Sequence, residues 1–389
     1  MSTFAGGTTT YNDRLAKELM RQGDRVVLQS DRVSLTEFGR QSYVQPVWTR
    51  DPRYVVQNLL AAHRDGGHDV VHIQHEYYLF GGPSTALLFP LLLGFLRLMD
   101  RPVVTTLHGV LSRAAVHDSR VLAGASIPAA VAWPLMSSLQ RAIVAGSDAV
   151  VVHDGYFRDV LVNECGAGPE SIHVIPHGVT IDLPHPARPS ARADLGLPKG
   201  ATILLSFGFL ARYKGLETLI DAFNKVAPQR PDLLLVVAGG PPARNVLDGD
   251  AYRASLEGRV APPLRGRVRF VGYVPEAAIP SWFAAADLVV LTHAVPLAAS
   301  GVLALAQGFG SGVVAPSIPP FLGSVTASGT LYEAGSADDL AQVLFALTGG
   351  ATDLRLVEES SRGDGRRASW SEVARRHHEL YESLIRGRR

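Results

Sequence analysis

The 389-residue sequence is short of several things. Its single cysteine, Cys165, can build neither an internal disulfide nor a cysteine-based metal site, so a reducing compartment is expected. Charge of one sign is not in excess: 37 Lys and Arg stand against 36 Asp and Glu, for a net +1. That balance removes any overall electrostatic case for nucleic acid and leaves only local basic patches. Long hydrophobic runs are missing too. The longest, Ala86–Leu96, falls well short of the roughly 20 residues that cross a bilayer. A second, Val121–Met136, is interrupted by Pro128 and Pro134. Both read as buried helices, with attachment to a membrane surface left open. No basic-then-apolar leader opens the sequence, and no H-E-x-x-H or Cys/His spacing suits zinc.

What is present is an ordinary globular composition, 47% hydrophobic and 19% charged, on a chain longer than one hydrophobic core usually supports. Short β-rich runs alternate with helical stretches throughout. Arg25–Gln29, Asp69–Ile73, Val103–Leu107, Ala149–Val152 and His173–Ile175 form a first series of strands. Ile203–Phe207, Leu233–Val237, Val268–Val271, Leu288–Leu291 and Val313–Ala315 form a second. The runs are continuous rather than alternating, as expected where helices cover both faces of a parallel sheet. Two doubly wound α/β halves follow: residues 1–183, a Pro- and Ala-rich linker at 184–199, and 200–370. An amphipathic helix over 371–389 ends in Arg386, Arg388 and Arg389, a tail that a solvated helix end also explains. A strand is expected before Gly6-Gly7, yet only Met1–Ala5 precede it. The reading favoured is a first strand truncated, with the true start upstream.

Several places could carry chemistry. Gly6-Gly7 precede a helix running to Met20, and glycines there let main-chain N–H groups approach an anion, though a tight turn explains them equally well. The loop after Ile203–Phe207 carries Arg212 and Lys214 at the carboxyl end of a strand, where open α/β sheets bind ligands. Two cations there suit a diphosphate leaving group that gains charge as its bond breaks. Ser300, Gly301 and Val302 open a helix and offer backbone N–H groups to an anion. Among 13 histidines, His108, His75 (with Glu76) and His177 lie at strand ends. For any one of them a structural bond to a loop carbonyl competes with catalysis.

These residues resemble a GT-B glycosyltransferase of the retaining family 4 type, also called glycosyl transferases group 1, over nearly the whole chain. The resemblance rests on Val174–Val179, Phe207-Gly208 through Glu217, Ala238–Pro241, Phe270–Pro275 and Ala286-Asp287. Gln74–Tyr77 with Phe80–Gly82 resembles a subgroup with a Q-H-E-[YF] signature. The resemblance implies two facing Rossmann-like doubly wound parallel-sheet domains, acceptor-side then nucleotide-sugar-binding, with a C-terminal helix after Trp370 crossing back. It implies that Gly7 lines the diphosphate and acceptor side. His108 matches the histidine near the transferred sugar, Glu76 joins it as a catalytic candidate, and Lys214 matches the lysine on the donor phosphates. Arg212 stands in for an arginine whose usual position holds Phe209, and Tyr273 and Val274 meet the base through their backbone. The family's E-x7-E glutamates fall on Leu297 and Leu305, and Gly312 replaces a proline.

The resemblance therefore implies a hexosyltransferase working with retention. It would move a hexose from a nucleoside diphosphate sugar, GDP-mannose or a UDP-sugar, to a glycan or lipid-linked acceptor in polysaccharide or cell-envelope biosynthesis. No metal or other cofactor and no nucleic acid partner are expected. The location implied is cytoplasmic, with peripheral membrane contact at the inner face allowed. The alternative is a catalytically weakened nucleotide-sugar-binding or scaffold protein of a polysaccharide assembly system.

Overall fold

The computed structural model describes every residue except 1–6, 32–40, 50, 52, 55, 58, 61–66, 78, 100, 122–126, 242–245 and 389. The expected first strand, with Gly6, lies outside the described residues. The chain divides into two compact units. The first is Met1–Gly178 with Leu297–Ala299 and Trp370–Arg389; the second is Val179–Pro296 with Ser300–Ser369.

In the first unit, helix α1 (Gly7–Arg21) leads to strands β1 (Leu28–Asp31) and β2 (Val44–Trp48), which pair in parallel. A four-stranded parallel sheet follows, β3 (Val71–His75), β4 (Val103–Leu107), β5 (Ala149–Val152) and β6 (Ile172–Val174), in sequential order. Helices α2 (Pro83–Arg97), α3 (Arg113–His117), α4 (Ala129–Gly146) and α5 (Gly155–Asp159) lie between these strands in sequence. Strands β4 and β5 are buried along their whole lengths because they have helices on both faces. Alternate residues face opposite ways. Val103, Leu107, Val150 and Val152 pack with Phe89 and Leu93 of α2 and Leu139 and Ile143 of α4. Val104, Ala149 and Val151 pack with Tyr11, Leu15 and Leu19, spaced four apart along α1, and with Trp370, Val373 and Leu380 of the closing helix. The closing helix is thus part of the first unit's core. Its basic end is only partly solvated: Arg388 donates to Asp148 at 2.9 Å, whereas Arg386 pairs with Glu382 on its own helix.

The first apolar run is helical, the second is helical from Ala129, and neither helix is wholly buried. In α2 one face packs inward through Phe89, Leu92, Leu93 and Leu96, while Leu87, Leu91, Phe95 and the following Leu98 remain exposed. In α4 Pro134 sits within the helix, and Val131 and Leu135 are exposed.

The second unit begins earlier than the strand pattern suggests. Val179 donates its N–H to Ala368 at 2.8 Å and Leu183 to Gly308 at 3.1 Å, which ties 179–183 to this unit. The expected linker 184–199 is not a free connector either. It holds helix α6 (Arg188–Asp194), with Pro189 in its first turn, where a missing N–H costs nothing. Ala191 is fully buried, and Arg192 bonds Asp287 at 2.6 Å and the carbonyls of Ala285 and Lys199.

The rest of this unit is a six-stranded parallel sheet in the order β12-β11-β10-β7-β8-β9. Its elements run β7 (Thr202–Phe207), α7 (Leu216–Val226), β8 (Leu233–Ala238), α8 (Val246–Arg259), β9 (Val268–Gly272), α9 (Ile279–Ala285) and β10 (Leu288–Val290). They continue through α10 (Gly301–Phe309), β11 (Gly312–Pro316), β12 (Leu331–Tyr332), α11 (Ala337–Leu347) and α12 (Ala351–Arg367), before the first unit's closing helix α13 (Trp370–Arg388). Leu204, Leu235, Val237 and Val290 pack beneath α7, α8 and α11. Ile203, Leu205, Val236, Val289 and Val313 pack beneath α6, α9 and α10. Both units are therefore Rossmann-like, each a parallel sheet with helices on its two faces.

Candidate functional site

In the second unit the chemistry gathers where β7 ends. Gly208 takes φ +103°, a region a side chain disfavours. Its N–H donates to Ala238 at 2.9 Å. Neighbouring Gly239 must be glycine, because an added Cβ would sit 1.9 Å from the Gly208 carbonyl oxygen. A Cβ on Gly208 itself would lie 2.9 Å from Lys214 Nζ and 3.3 Å from Val302 Cγ2. The bare backbone of Gly208, the Lys214 ammonium and the first turn of α10 thus meet at one place.

Each component is set by local structure. Lys214 closes a tight turn, Arg212–Lys214, between β7 and α7, and its carbonyl accepts from Thr292 Oγ1 at 2.7 Å. Burial lowers the Lys214 pKa from 10.5 to about 8, and no described carboxylate forms an ion pair with it. Ser300 caps α10 by accepting from Leu303 N–H at 3.2 Å. The N–H groups of Gly301 and Val302, in the first turn, have no partner inside the helix. A buried cation beside an open helix N-terminus is an arrangement that favours an anion.

His293 belongs to the same place and was not singled out from the sequence. It follows β10, lines the cleft with Gly208, Lys214 and Thr292, and has a buried Nδ1 without a partner among the described residues. Burial, then the Lys214 charge, push its pKa to about 3. The rule that drew attention to His108, a polar residue just beyond a strand's carboxyl end, could have found it.

The other candidates of this unit are less concentrated. The Arg212 guanidinium lies over the Tyr252 ring, 5.0 Å from its centroid, and Tyr252 in turn donates to Glu217 at 2.7 Å. Tyr273 is 71% exposed and Val274 is buried in the core, with Tyr273 N close to Gly240. Leu305, at the second glutamate position, packs partly buried on the apolar core, so no carboxylate is available there.

In the first unit, His108 follows β4 and His153 follows β5, side by side. His108 Nε2 is 2.8 Å from the Gln74 amide, and its Nδ1 is 3.2 Å from His153 Nε2. The Tyr11 ring packs against His108, His153, His177 and Trp370. Burial holds these imidazoles neutral: His153 is lowered to about 3, His177 to about 4, and His108 well below 6.5. His75 is a core residue rather than an edge group, buried against Phe89 and Tyr77. Leu297, at the first glutamate position, accepts Val110 N–H through its carbonyl at 3.1 Å, beside His108-Gly109.

Glu76 is exposed and accepts from Thr8 Oγ1 at 2.7 Å, in the first turn of α1. The helix start that Gly7 opens therefore already has an anion of the protein's own beside it. A diphosphate there would be repelled by it, which weighs against Gly7 and toward the helix start at Ser300-Gly301.

Residues 5–183 match the model of Glycosyltransferase Family 4, and residues 201–348 that of Glycosyl transferases group 1. The D-inositol 3-phosphate glycosyltransferase 1 of Catenulispora acidiphila is 30% identical over 343 residues, covering 83% of this chain and 74% of the relative. A D-inositol 3-phosphate glycosyltransferase of Xylanimonas cellulosilytica is 29% identical, covering 84% and 75%. Among solved structures, Anabaena Alr3699/HepE in complex with UDP and glucose superposes with a TM-score of 0.77 at 20% identity, over 99% of this chain and 98% of that one. Sucrose-phosphate synthase from Thermosynechococcus elongatus gives 0.76 at 21% identity, over 98% and 94%. The fold is that of the GT-B enzymes. With both unit sequences matched and a relative at this identity and coverage, the chain belongs to the family 4, group 1 glycosyltransferases and is a glycosyltransferase.

Proposed function

We propose that this enzyme transfers a hexose with retention from a nucleoside diphosphate sugar to a glycan or lipid-linked acceptor. The observation that carries this is the meeting of Lys214 Nζ, the Gly208 backbone and the first turn of α10. Lys214 and the α10 N–H groups would hold the diphosphate, with Arg212 a further cation on the same loop. Tyr273 and Val274 would border the base through their backbone. The acceptor hydroxyl attacks the anomeric carbon on the face that the diphosphate leaves, and its proton passes to a departing phosphate oxygen. That scheme forms no covalent enzyme intermediate, so Leu297 and Leu305 cost it sugar and ribose contacts rather than a nucleophile. Lys214 and the helix dipole supply the positive charge, so the scheme requires no divalent metal. His108 would border the sugar, and Glu76 would stand on the acceptor side.

Turnover with UDP-, GDP- and ADP-sugars across glycan and lipid-linked acceptors tests the proposal. Transfer with the anomeric configuration kept is the expected result. Donor binding with neither transfer nor hydrolysis would favour a binding or scaffold role instead.

We read the location as cytoplasmic, with contact at a membrane surface. No described helix is long and apolar enough to cross a membrane. The exposed residues Leu87, Leu91, Phe95 and Leu98 instead form a stripe at helical spacing, and α2 packs against α4, whose Val131 is also exposed. Neither helix carries a carboxylate, while Arg97 and Arg141 do supply charge, which suits an anionic lipid surface. Leu91→Glu with Phe95→Glu is expected to lower binding to phosphatidylglycerol vesicles by about tenfold or more, read by co-sedimentation. Unchanged binding would remove this surface from consideration.

A further inference from the structure

Polar groups of the first unit run in a line from the closing helix through His108 to the edge of the sheet. Tyr381 Oη lies 2.6 Å from His72 Nδ1. His72 Nε2 lies 2.7 Å from Thr106 Oγ1 and 3.2 Å from one end of the Gln74 amide. The other end of that amide is 2.8 Å from His108 Nε2. His108 Nδ1 is 3.2 Å from His153 Nε2, and His153 Nδ1 is 3.0 Å from the Ile175 carbonyl oxygen.

The last contact fixes the others. A carbonyl oxygen only accepts, so His153 Nδ1 carries a hydrogen. Burial keeps His72, His108 and His153 neutral, with one ring proton each. His153 Nε2 is then an acceptor, and His108 Nδ1 must be the donor that meets it. His108 Nε2 is left without a proton. Gln74 must give its NH₂ to His108 and its oxygen to His72, whose Nε2–H it accepts together with Thr106 Oγ1. Tyr381 O–H then donates to His72 Nδ1. With the amide turned the other way, Gln74 Oε1 faces His108 at 2.8 Å. His108 or His153 would then need two ring protons, which burial opposes.

We propose that His153 is a positioning residue that holds His108 as its Nδ1–H tautomer, making Nε2, which Gln74 meets, a hydrogen-bond acceptor for a sugar hydroxyl. His153 sets the tautomer. Gln74, half-buried, occupies Nε2 until a ligand hydroxyl displaces it. The role at the sugar rests on the transferase reading above, but the tautomer does not.

The test is long-range ¹H–¹⁵N correlation of the ¹⁵N-histidine-labelled full chain at neutral pH without ligand, with His108→Gln used only to assign the signal. His108 is expected as Nδ1–H; an Nε2–H or doubly protonated His108 overturns the proposal. His153→Leu is expected to move His108 to Nε2–H and to lower kcat by about tenfold to a hundredfold, with little change in donor KM. His153→Gln, which can accept from His108 and donate to Ile175, is expected to restore both the tautomer and most of kcat. Gln74→Leu should keep Nδ1–H. Full activity in His153→Leu with the tautomer unchanged overturns the proposal. Should His153→Leu not fold, the wild-type spectrum and His153→Gln decide. A wild-type protein that shows Nδ1–H but transfers no sugar supports the tautomer and counts against the transferase reading alone.

Discussion

Replacing Lys214 with methionine is expected to weaken binding of UDP or GDP by about 10- to 100-fold, the usual worth of a charge-assisted hydrogen bond in a sheltered site. The same change is expected to raise the stability of the unliganded protein by about 1 kcal/mol. The reason is that the ammonium is desolvated and no described carboxylate pairs with it, while methionine fills similar space. A residue that lowers stability while raising affinity is what a ligand site requires, and a purely structural lysine would behave oppositely.

The pH dependence follows from the depressed pKa. The folded value is about 8 and the ordinary one 10.5, so the unfolded chain binds more protons between those pH values. Stability attributable to this group therefore rises as pH rises from about 8 to 10.5, and below 8 the burden of the charge is fully present. Nucleotide affinity runs the other way. A bound diphosphate favours the ammonium form, so affinity should be highest below pH 8 and fall above it. Calorimetric titration of UDP and GDP at pH 7 and pH 9.5, with thermal melts of the same samples, reads both effects. Equal affinities for wild type and Lys214→Met would refute the phosphate role.

The second large effect is structural. Asp287→Ala is expected to destabilise the protein by about 3–5 kcal/mol, the typical cost of removing one partner from a buried ion pair. Asp287 Oδ2 is 2.6 Å from Arg192 and accepts Ile203 N–H at 2.7 Å, and both ionic side chains are largely buried. Losing the carboxylate strands a buried guanidinium and the Ile203 backbone N–H together. Arg192→Met with Asp287→Leu is expected to recover part of the loss, because an apolar pair needs no compensating charge. The remainder, of order 1–3 kcal/mol, belongs to the unpaired Ile203 N–H. Urea unfolding of the single and double variants measures this. A loss below 1 kcal/mol in Asp287→Ala would mean that the pair holds little.

Asp287 also shows how a residue of a family motif can serve packing. Ala286-Asp287 carries part of the family resemblance, and its carboxylate serves the packing of α6 on the sheet rather than a ligand. The Pro- and Ala-rich stretch that looked like a linker is the helix on the other side of that contact. Composition alone could not distinguish the two, since the deciding feature is Arg192 meeting a residue 95 positions away.

The sequence by itself determined the parallel α/β architecture. Continuous runs such as Val103–Leu107 and Leu233–Ala238 can only be buried on both faces, and the structure buries them so. It also determined the positions of Gly208, Lys214 and Ser300, because strand ends and helix starts are local features. Tertiary structure alone decided which of these meet. Lys214 and Val302 share the space beside Gly208, and His293 joins them, through strand order β10-β7-β8 rather than through chain order. It also sorted the histidines: His75 went to the core, and His72, Gln74, His108 and His153 formed a directed line. The physical reason is the same in each case. Periodicity and turn chemistry act over a few residues, whereas burial, pKa and the direction of a hydrogen bond depend on neighbours brought from far along the chain.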